Sequence, residues 1–571
     1  MKNKFFKLSF ANSAVNKLLL SCLLISLVTY LSTVSSSLIA GKIVGNNALS
    51  AINLINPLYN YANFFSGMIG IGSSLMYFRF IGAYKKDRAN EIFGQSIILS
   101  ISIGILIFIV MSVIETPYLD SLNISNELRY EAEQFWKFEK VVMALLPSDF
   151  VLFEMLCTDT KLILIADIAF YVTGIGSSII FTNLFGTMGT SMGMTVGIII
   201  CDLILCTHFL SKKNEFKFKF HFSFKDIKEM LNLSLVDSST YLDSGLLIMF
   251  INTYVLKNFS EDMLPVTAVM VTILDIIIVF DCVGSAFSPV AEVFLGENNF
   301  NDEKDVARYS LFISQVFGVL VTILFIVAAP LFPQFFRIED PIQADLLVKV
   351  IRLFAPSMLL YSLSYMIISH YIAIRKISLA VIIEWTKALI APAICILIFG
   401  GLFGFKGIWG SFFIAQILCA LCFNLSIKLF SKRNKSIWLL DDNAYPTFSC
   451  SYYANKENVI NARNDIEKFL IDTSVNKSII NKIIMTIEDM TNIVIDKNPN
   501  RKVIIQYNVF IHDDCIYLYE RDNGEIYDLT NPDNNITSFN EYIFNCISGT
   551  FNDKQYLISI DYNRSVFCYR I

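Results

Sequence analysis

The chain has 571 residues, 54% of them hydrophobic and 17% charged, with a net charge of −5. Its mean hydropathy of +0.55 is too high for a soluble protein of this length. The overall balance is weakly acidic, and no nucleic-acid partner is expected.

The charge is uneven. Residues 441–571 hold 19 acidic and 12 basic residues, net −7, against +2 for everything before them. A membrane domain followed by an acidic soluble domain is therefore expected. The opening stretch, "MKNKFFKLSFANSAVNKLLLSCLLISLVTYLS", starts like a signal peptide. Its apolar run continues to Ala40 without a convincing cleavage site, which predicts a retained first helix. Apolar runs long enough for ~30 Å of hydrocarbon then recur. They predict twelve helices, at 17–41, 47–80, 92–113, 135–157, 161–183, 188–211, 227–256, 263–295, 305–330, 343–372, 377–402 and 406–430.

Lys and Arg cluster in "MKNKFFK", "YKKDR", "SKKNEFKFKFHFSFK", "IRK" and "SKRNK". The intervening loops "GKIVGNN", "GTMG" and "LKNFSED" hold fewer. With an even number of spans, that asymmetry places both termini in the cytoplasm of a multi-pass cell-membrane protein surrounded by lipid. The twelve cysteines fall in predicted spans or in the tail. Cys419 and Cys422 form a CxxC inside an apolar span, which reads as packing. No metal site is expected.

The two halves echo each other. "TYLS" at Thr29 returns as "TYLD" at Thr240, "FIG" at Phe80 as "FLG" at Phe294, and "LFGTMG" at Leu184 as "LFGFKG" at Leu402. The offsets are 211, 214 and 218 residues. Six helices per repeat keep the same orientation, so two lobes related by an axis along the membrane normal are expected. The fold class is then an all-α polytopic membrane protein of two six-helix lobes, 1–223 and 224–435, plus a small α+β cytosolic domain, 436–571.

The predicted seventh helix carries Asp237 and Asp243, with no base from Ser234 to Val255. Each ionised carboxylate at a span's centre costs about 2.5–3.5 kcal/mol on insertion scales. Six residues apart, the two point about 120° from each other. The eighth helix repeats the spacing with Asp275 and Asp281. Four carboxylates are thus expected to converge in the second lobe. Such a group can share a proton, hold a sodium ion or bind an organic cation. The plain alternative is interhelical hydrogen bonding, about 0.6 kcal/mol per bond. Glu384 and Lys387, three residues apart, are expected to pair with each other.

The stretch "GKIVGNNALSAINLINP" after the first helix, "GSAFSPVAEVFLGENN" ending the eighth, and the LFGxxG turns resemble multidrug and toxic compound extrusion (MATE) transporters over residues 10–432. The resemblance implies secondary antiport: protons or sodium ions move in, and small organic, often cationic, solutes move out, with no enzymatic chemistry and no required cofactor. Many members carry a coupling acid in helix 7, at or near Asp243. Others use an aspartate late in helix 1, where this chain has Ser36. Two alternatives remain: a lipid-linked or polysaccharide exporter of the same superfamily, and a membrane sensor whose tail binds nucleotide or a partner.

The tail opens on a polar linker, 431–450. In 476–496, Ile480, Ile483, Ile484, Ile487, Met490 and Val494 form a helical stripe. Glu488 and Asn492 share another face. Two β-rich runs follow around His512-Asp513-Asp514, ending at Asp522-Asn523-Gly524. E-x-x-x-N before a hairpin ending in D-x-G-x-x-Y resembles the histidine-kinase-like ATP-binding fold, especially its anti-sigma-factor branch. That resemblance implies Asn492 on Mg²⁺, Glu488 positioning water, and Asp522 with Gly524 at the adenine of ATP. The tail has only two glycines, Gly524 and Gly549, and no suitable phospho-acceptor histidine. A degenerate domain without catalysis, and a place for a cytosolic regulatory protein, is therefore expected.

Overall fold

The structure, a computed structural model, describes residues 10–82, 85–156, 159–211, 216–296, 299–430, 439, 446–512, 515–525, 527, 550–557 and 562–570. Helical rods stand at each of the twelve predicted places, most of them longer than expected. They are α1 (Phe10–Ile43), α2 (Asn46–Gly82), α3 (Lys86–Leu122), α4 (Asn126–Met155), α5 (Thr160–Phe185), α6 (Thr187–Cys206) and α7 (Phe224–Asn258). α8 (Leu264–Leu274) continues through a 3-10 stretch (Asp275–Phe280) into α9 (Asp281–Gly296). α10 (Phe300–Ala328) is followed by a short α11 (Phe332–Phe335) and by the bent pair α12 (Pro341–Phe354) and α13 (Ser357–Ala373). α14 (Ile377–Trp385) runs through a π-helical segment (Thr386–Ile390) into α15 (Ala391–Phe403), and α16 (Phe405–Phe430) closes the helical domain.

Among the described residues, seven helices are long and apolar enough to cross a bilayer, or eight if the bent pair is one span. Apolar length thus supports fewer spans than the twelve expected. α4 and α7 are outside the seven, and each carries charges along its length, Lys137, Glu139 and Lys140 in α4 and Asp237 and Asp243 in α7.

The LFGxxG turns adopt one geometry twice. Gly186 (φ 64°, ψ −145°) joins α5 to α6, and Gly404 (φ 65°, ψ −150°) joins α15 to α16. A positive φ favours glycine. Three residues on, Gly189 and Gly407 each donate their N–H back to the turn glycine's carbonyl at 2.9 Å. A Cβ on either would meet the preceding helix's backbone at about 2 Å, at Phe181 and Phe399.

α7 lies along α2. A Cβ on Gly72 would stand 2.2 Å from the carbonyl of Met230, and Asn53 donates to Asn252 at 2.8 Å. The first half of α1 instead packs on α9 and α10, where Asn16 and Tyr309 exchange hydrogen bonds of 2.7 and 2.9 Å.

The tail is a five-stranded antiparallel sheet of β1 (Thr447–Tyr453), β2 (Ile504–His512), β3 (Cys515–Asp522), β4 (Thr550–Leu557) and β5 (Tyr562–Arg570), in the order β1-β2-β3-β5-β4. α17 (Lys456–Asp472) and α18 (Lys477–Lys497) cover one face. The predicted stripe of α18 is buried there, against Tyr507, Val509, Leu518 and Phe567. β1 begins inside the segment expected to be linker, because its residues pair with β2 from Thr447 onward. The sheet's other face rests on the helical domain. Six residues of β2 in succession, Ile504 to Val509, are buried, so this strand is covered on both sides.

Candidate functional site

Two of the non-α segments of the helical domain, one 3-10 and one π, occur beside charged residues. The 3-10 stretch runs from Asp275 to the edge of Asp281, and the π segment contains Lys387. Such interruptions leave backbone groups to be satisfied from outside the helix. Gln416 of α16 does this for the π segment, donating Nε2 to the carbonyl of Lys387 at 3.1 Å.

Lys387 lies 2.8 Å from Glu384 Oε2, and both side chains are buried. Its Nζ stands 3.6 Å from the ring centre of Tyr365 on α13. This aromatic face holds a cation without a formal charge. Asp243 faces the same cluster from α7, only 1% exposed, and feels both Glu384 and Lys387. Its Oδ2 has no hydrogen-bond partner among the described residues. Asp281 lies in the field of the same Lys387 and Glu384, and accepts a hydrogen bond from Ser285 at 2.8 Å.

The four predicted aspartates therefore divide. Asp243 and Asp281 both lie in the field of Lys387 and Glu384. Asp237, on the other face of α7, is solvent-exposed and within the field of Asp281. Glu154 of α4 lies close to Asp237. Asp275 is set apart beside Tyr30 of α1. The expected Glu384–Lys387 pair forms, and its field reaches Asp243. An acid and a base at i,i+3 in an apolar run signalled the pair; nothing in one sequence showed that it turns toward α7. Asp149 of α4 and Asp202 of α6 are within hydrogen-bonding distance of each other, away from this cluster.

In the tail, Asp522 is fully buried at the end of β3. Its Oδ1 accepts from the Gly524 N–H at 2.7 Å and from Asn563 at 3.0 Å, and its Oδ2 from the Tyr527 hydroxyl at 3.1 Å. Burial pushes its carboxyl above the usual range, and these donors partly offset that. A Cβ on Gly524 would stand 2.6 Å from Asn498 Nδ2. Glu488 is paired with Arg463 at 2.9 Å on the outer surface of α18. Asn492 sits half-buried one turn on. The Asp522 carboxylate, expected at an adenine, is thus satisfied by the chain itself. Asp513, Asp514 and Gly549 lie outside the described residues.

A second polar cluster joins tail and helical domain. Asn299 caps α10 and exchanges bonds with Asp302, with side chains 2.8 Å apart. The Asp302 Oδ2 also accepts from Ser449 of β1 at 2.6 Å and from Gln506 of β2 at 2.8 Å. Arg521 of β3 donates to Gln506 at 3.1 Å and lies 4.9 Å above the ring of Phe294 on α9. The N–H of Phe10, the first residue of α1, donates to Ser451.

The MatE family model matches residues 22–180. Three solved structures are similar in fold. The inward-facing conformation of a multidrug resistance MATE family transporter of the MOP superfamily has a TM-score of 0.63 at 19% identity, over 70% of this chain and 94% of that one. A MOP superfamily transporter from Pyrococcus furiosus, described as having a binding pocket of reversed polarity that suggests a different function, has a TM-score of 0.59 at 18% identity, over 73% and 95%. The outward-facing conformation of a multidrug resistance MATE family transporter has a TM-score of 0.57 at 18% identity, over 73% and 95%. At these identities the likeness concerns the fold. No curated protein matches the sequence.

Proposed function

We propose that this chain is a secondary active transporter that exchanges an inward-moving proton or sodium ion for an organic, typically cationic, solute moving out. The observation that carries this reading is Asp243, a buried acid with one carboxylate oxygen unpartnered beside a Lys–Glu pair. The MatE match and the fold shared with inward- and outward-facing transporters support two lobes that rock around a central path.

With both acids ionised and Lys387 charged, Asp243, Glu384 and Lys387 sum to one negative charge. A proton or sodium ion on Asp243 removes it and leaves Lys387 wholly to Glu384. When the cation departs, Asp243 competes for Lys387. The π segment gives Lys387 slack to follow, and a neutral cluster crosses the apolar state between the two access states at lower cost. Asp237 and Ser285, exposed, and Asp281 offer acceptors to a cationic solute. A lipid-linked or polysaccharide exporter would need a cationic lining at the same place. In sealed vesicles with imposed sodium or pH gradients, Asp243→Asn should insert normally and lose gradient-driven efflux. Wild-type efflux in that variant would overturn the assignment.

The tail is a regulatory body in this reading. The Asp302 cluster fastens it to α9 and α10, and Ser451 to the start of α1, so its position is coupled to helices of both halves. The filled Asp522 carboxylate favours a protein regulator over a nucleotide at Glu488, Asn492, Asp522 and Gly524. A nucleotide with Mg²⁺ that shifted the melting of the full-length protein, and failed to do so in Asn492→Ala, would reverse that preference. Both termini face the cytoplasm. A cysteine at Asn123 should label from outside, and one at Ser474 only after permeabilisation.

A further inference from the structure

Between α6 and α7 the chain runs as an extended strap whose described part, 216–223, reads Phe-Lys-Phe-Lys-Phe-His-Phe-Ser, with Phe224 opening α7. Successive side chains of an extended chain point to opposite sides. The odd positions are stitched to the start of α3. The Lys217 N–H donates to Asn90 at 2.9 Å, Lys219 Nζ to Asp87 at 2.6 Å, and Gln95 donates to the carbonyl of Ser223 at 3.0 Å. His221 stands 3.3 Å from Arg88. Gly94 allows this approach, since a Cβ there would lie 2.1 Å from the Lys219 carbonyl. Phe216 is folded under, stacked on Tyr77 at 4.8 Å. The remaining even positions face away: Phe218, Phe220, Phe222 and Phe224 are 59, 78, 48 and 79% exposed.

This aromatic edge continues the exposed apolar surface of Ile199, Leu203 and Leu210 that leads into the strap. The chemistry around it is cationic. Lys85, Lys86, Lys217, Lys219, Lys225 and Lys228 are exposed, while Asp226 is engaged by Arg88 at 3.1 Å and Asp87 by Lys219. Aromatic rings with basic neighbours suit one environment, the boundary between headgroups and acyl chains of a bilayer that contains anionic lipid.

We propose that residues 216–225 are an interfacial lipid anchor. The phenylalanine edge inserts at the headgroup–acyl boundary on the tail's side of the membrane, and the lysines hold anionic headgroups, pinning the connection between the two halves to the bilayer surface. This rests on the membrane-embedded reading of the helices. The test is a series of single spin labels at Lys217 to Phe224, on a cysteine-free full-length chain in lipid nanodiscs. Collision with oxygen and with a water-soluble nickel chelate reports depth. Oxygen should dominate at Phe218, Phe220 and Phe222, and nickel at Lys217, Lys219 and His221, alternating with period two. A flat, nickel-dominated profile would overturn the anchor. So would dipolar broadening between labels, which would mean that a second copy covers the strap. A label at Ile105, exposed on α3, separates the two failures: if it too reads as aqueous, the membrane reading fails and not the strap. Nanodiscs with phosphatidylglycerol should raise the melting temperature over phosphatidylcholine alone, and Lys217→Gln with Lys225→Gln should shrink that rise. An unchanged rise would remove the lysines from the proposal.

Discussion

Two buried aspartates, one in the helical domain and one in the tail, are held in opposite ways. Asp522 has a donor for each oxygen, and one oxygen has two, all from its own domain. Asp243 keeps one oxygen without a donor and lies in the field of a lysine that Glu384 holds at 2.8 Å. A carboxylate whose partners are fixed and complete serves the fold. One left short of partners in a low dielectric is poised to take up a proton or cation, and its state then acts on the groups around it. The helical domain even gives up regular α-helix on either side of its site, at Asp275–Phe280 and Thr386–Ile390, while the tail keeps unbroken strands through Asp522.

The strongest way to break this contrast is to remove the shared counter-charge. Lys387→Met leaves Glu384 and Asp243 buried together without a cation, and should cost about 3–5 kcal/mol. Poor yield of folded protein in detergent is the expected outcome. Adding Glu384→Gln should restore much of the yield without restoring gradient-driven transport. If Lys387→Met melts like the wild type, the three groups do not form one cluster.

A smaller loss is expected in the tail. Asp522→Ala removes an acceptor from the Tyr527 hydroxyl and one of the two acceptors of the Asn563 amide, at about 1–3 kcal/mol for buried polar groups that lose a partner. Faster amide exchange along β3 and β5 of the full-length protein should report it, with the helical domain unaffected. If exchange is unchanged and nucleotide binding is lost, Asp522 is a ligand group after all.

Asp243→Asn sharpens the comparison from the other side. It retains shape and removes a charge that lacks a full set of donors, so stability should change by no more than about 1 kcal/mol. Full loss of transport with an unchanged melting temperature is the signature of a functional acid. Equal loss of both would make Asp243 a structural group like Asp522.

The smallest effect concerns pH. Burial, with Glu488 beside it, pushes the carboxyl of Asp489 up to about 6. In the unfolded chain it titrates near 4. The folded tail therefore binds the proton more tightly, and its stability rises as pH falls through about 6 and levels off near 4. Asp489→Asn should flatten that slope in pH-dependent amide exchange of α18. A slope of the opposite sign would mean that the carboxylate is paired rather than desolvated.

Much of this was legible in one dimension. Helices stand at the twelve predicted places because long apolar runs have few ways to satisfy their backbone in lipid except as helices. The stripe of α18 was readable because its 3.6-residue period survives intact. The matching turns at Gly186 and Gly404 were readable because only glycine takes that backbone geometry comfortably. The 120° divergence of Asp237 and Asp243 followed from helix geometry, and the structure buries Asp243 while leaving Asp237 exposed.

What neighbours each acid has could not be read that way. Lys387 acts on Asp243 from a helix far along the chain, and the π segment that carries it has no signature in an apolar sequence. Nothing in the sequence marks Asp302, yet its carboxylate joins the cap of α10 to β1 and β2 of the tail. Gln506 and Arg521 alternate with core residues, and the face they stand on is closed by α9 and α10. Periodicity reports which side of an element differs from the other. It carries no information about what covers that side, since covering depends on groups hundreds of positions away that meet only when the lobes and the tail pack.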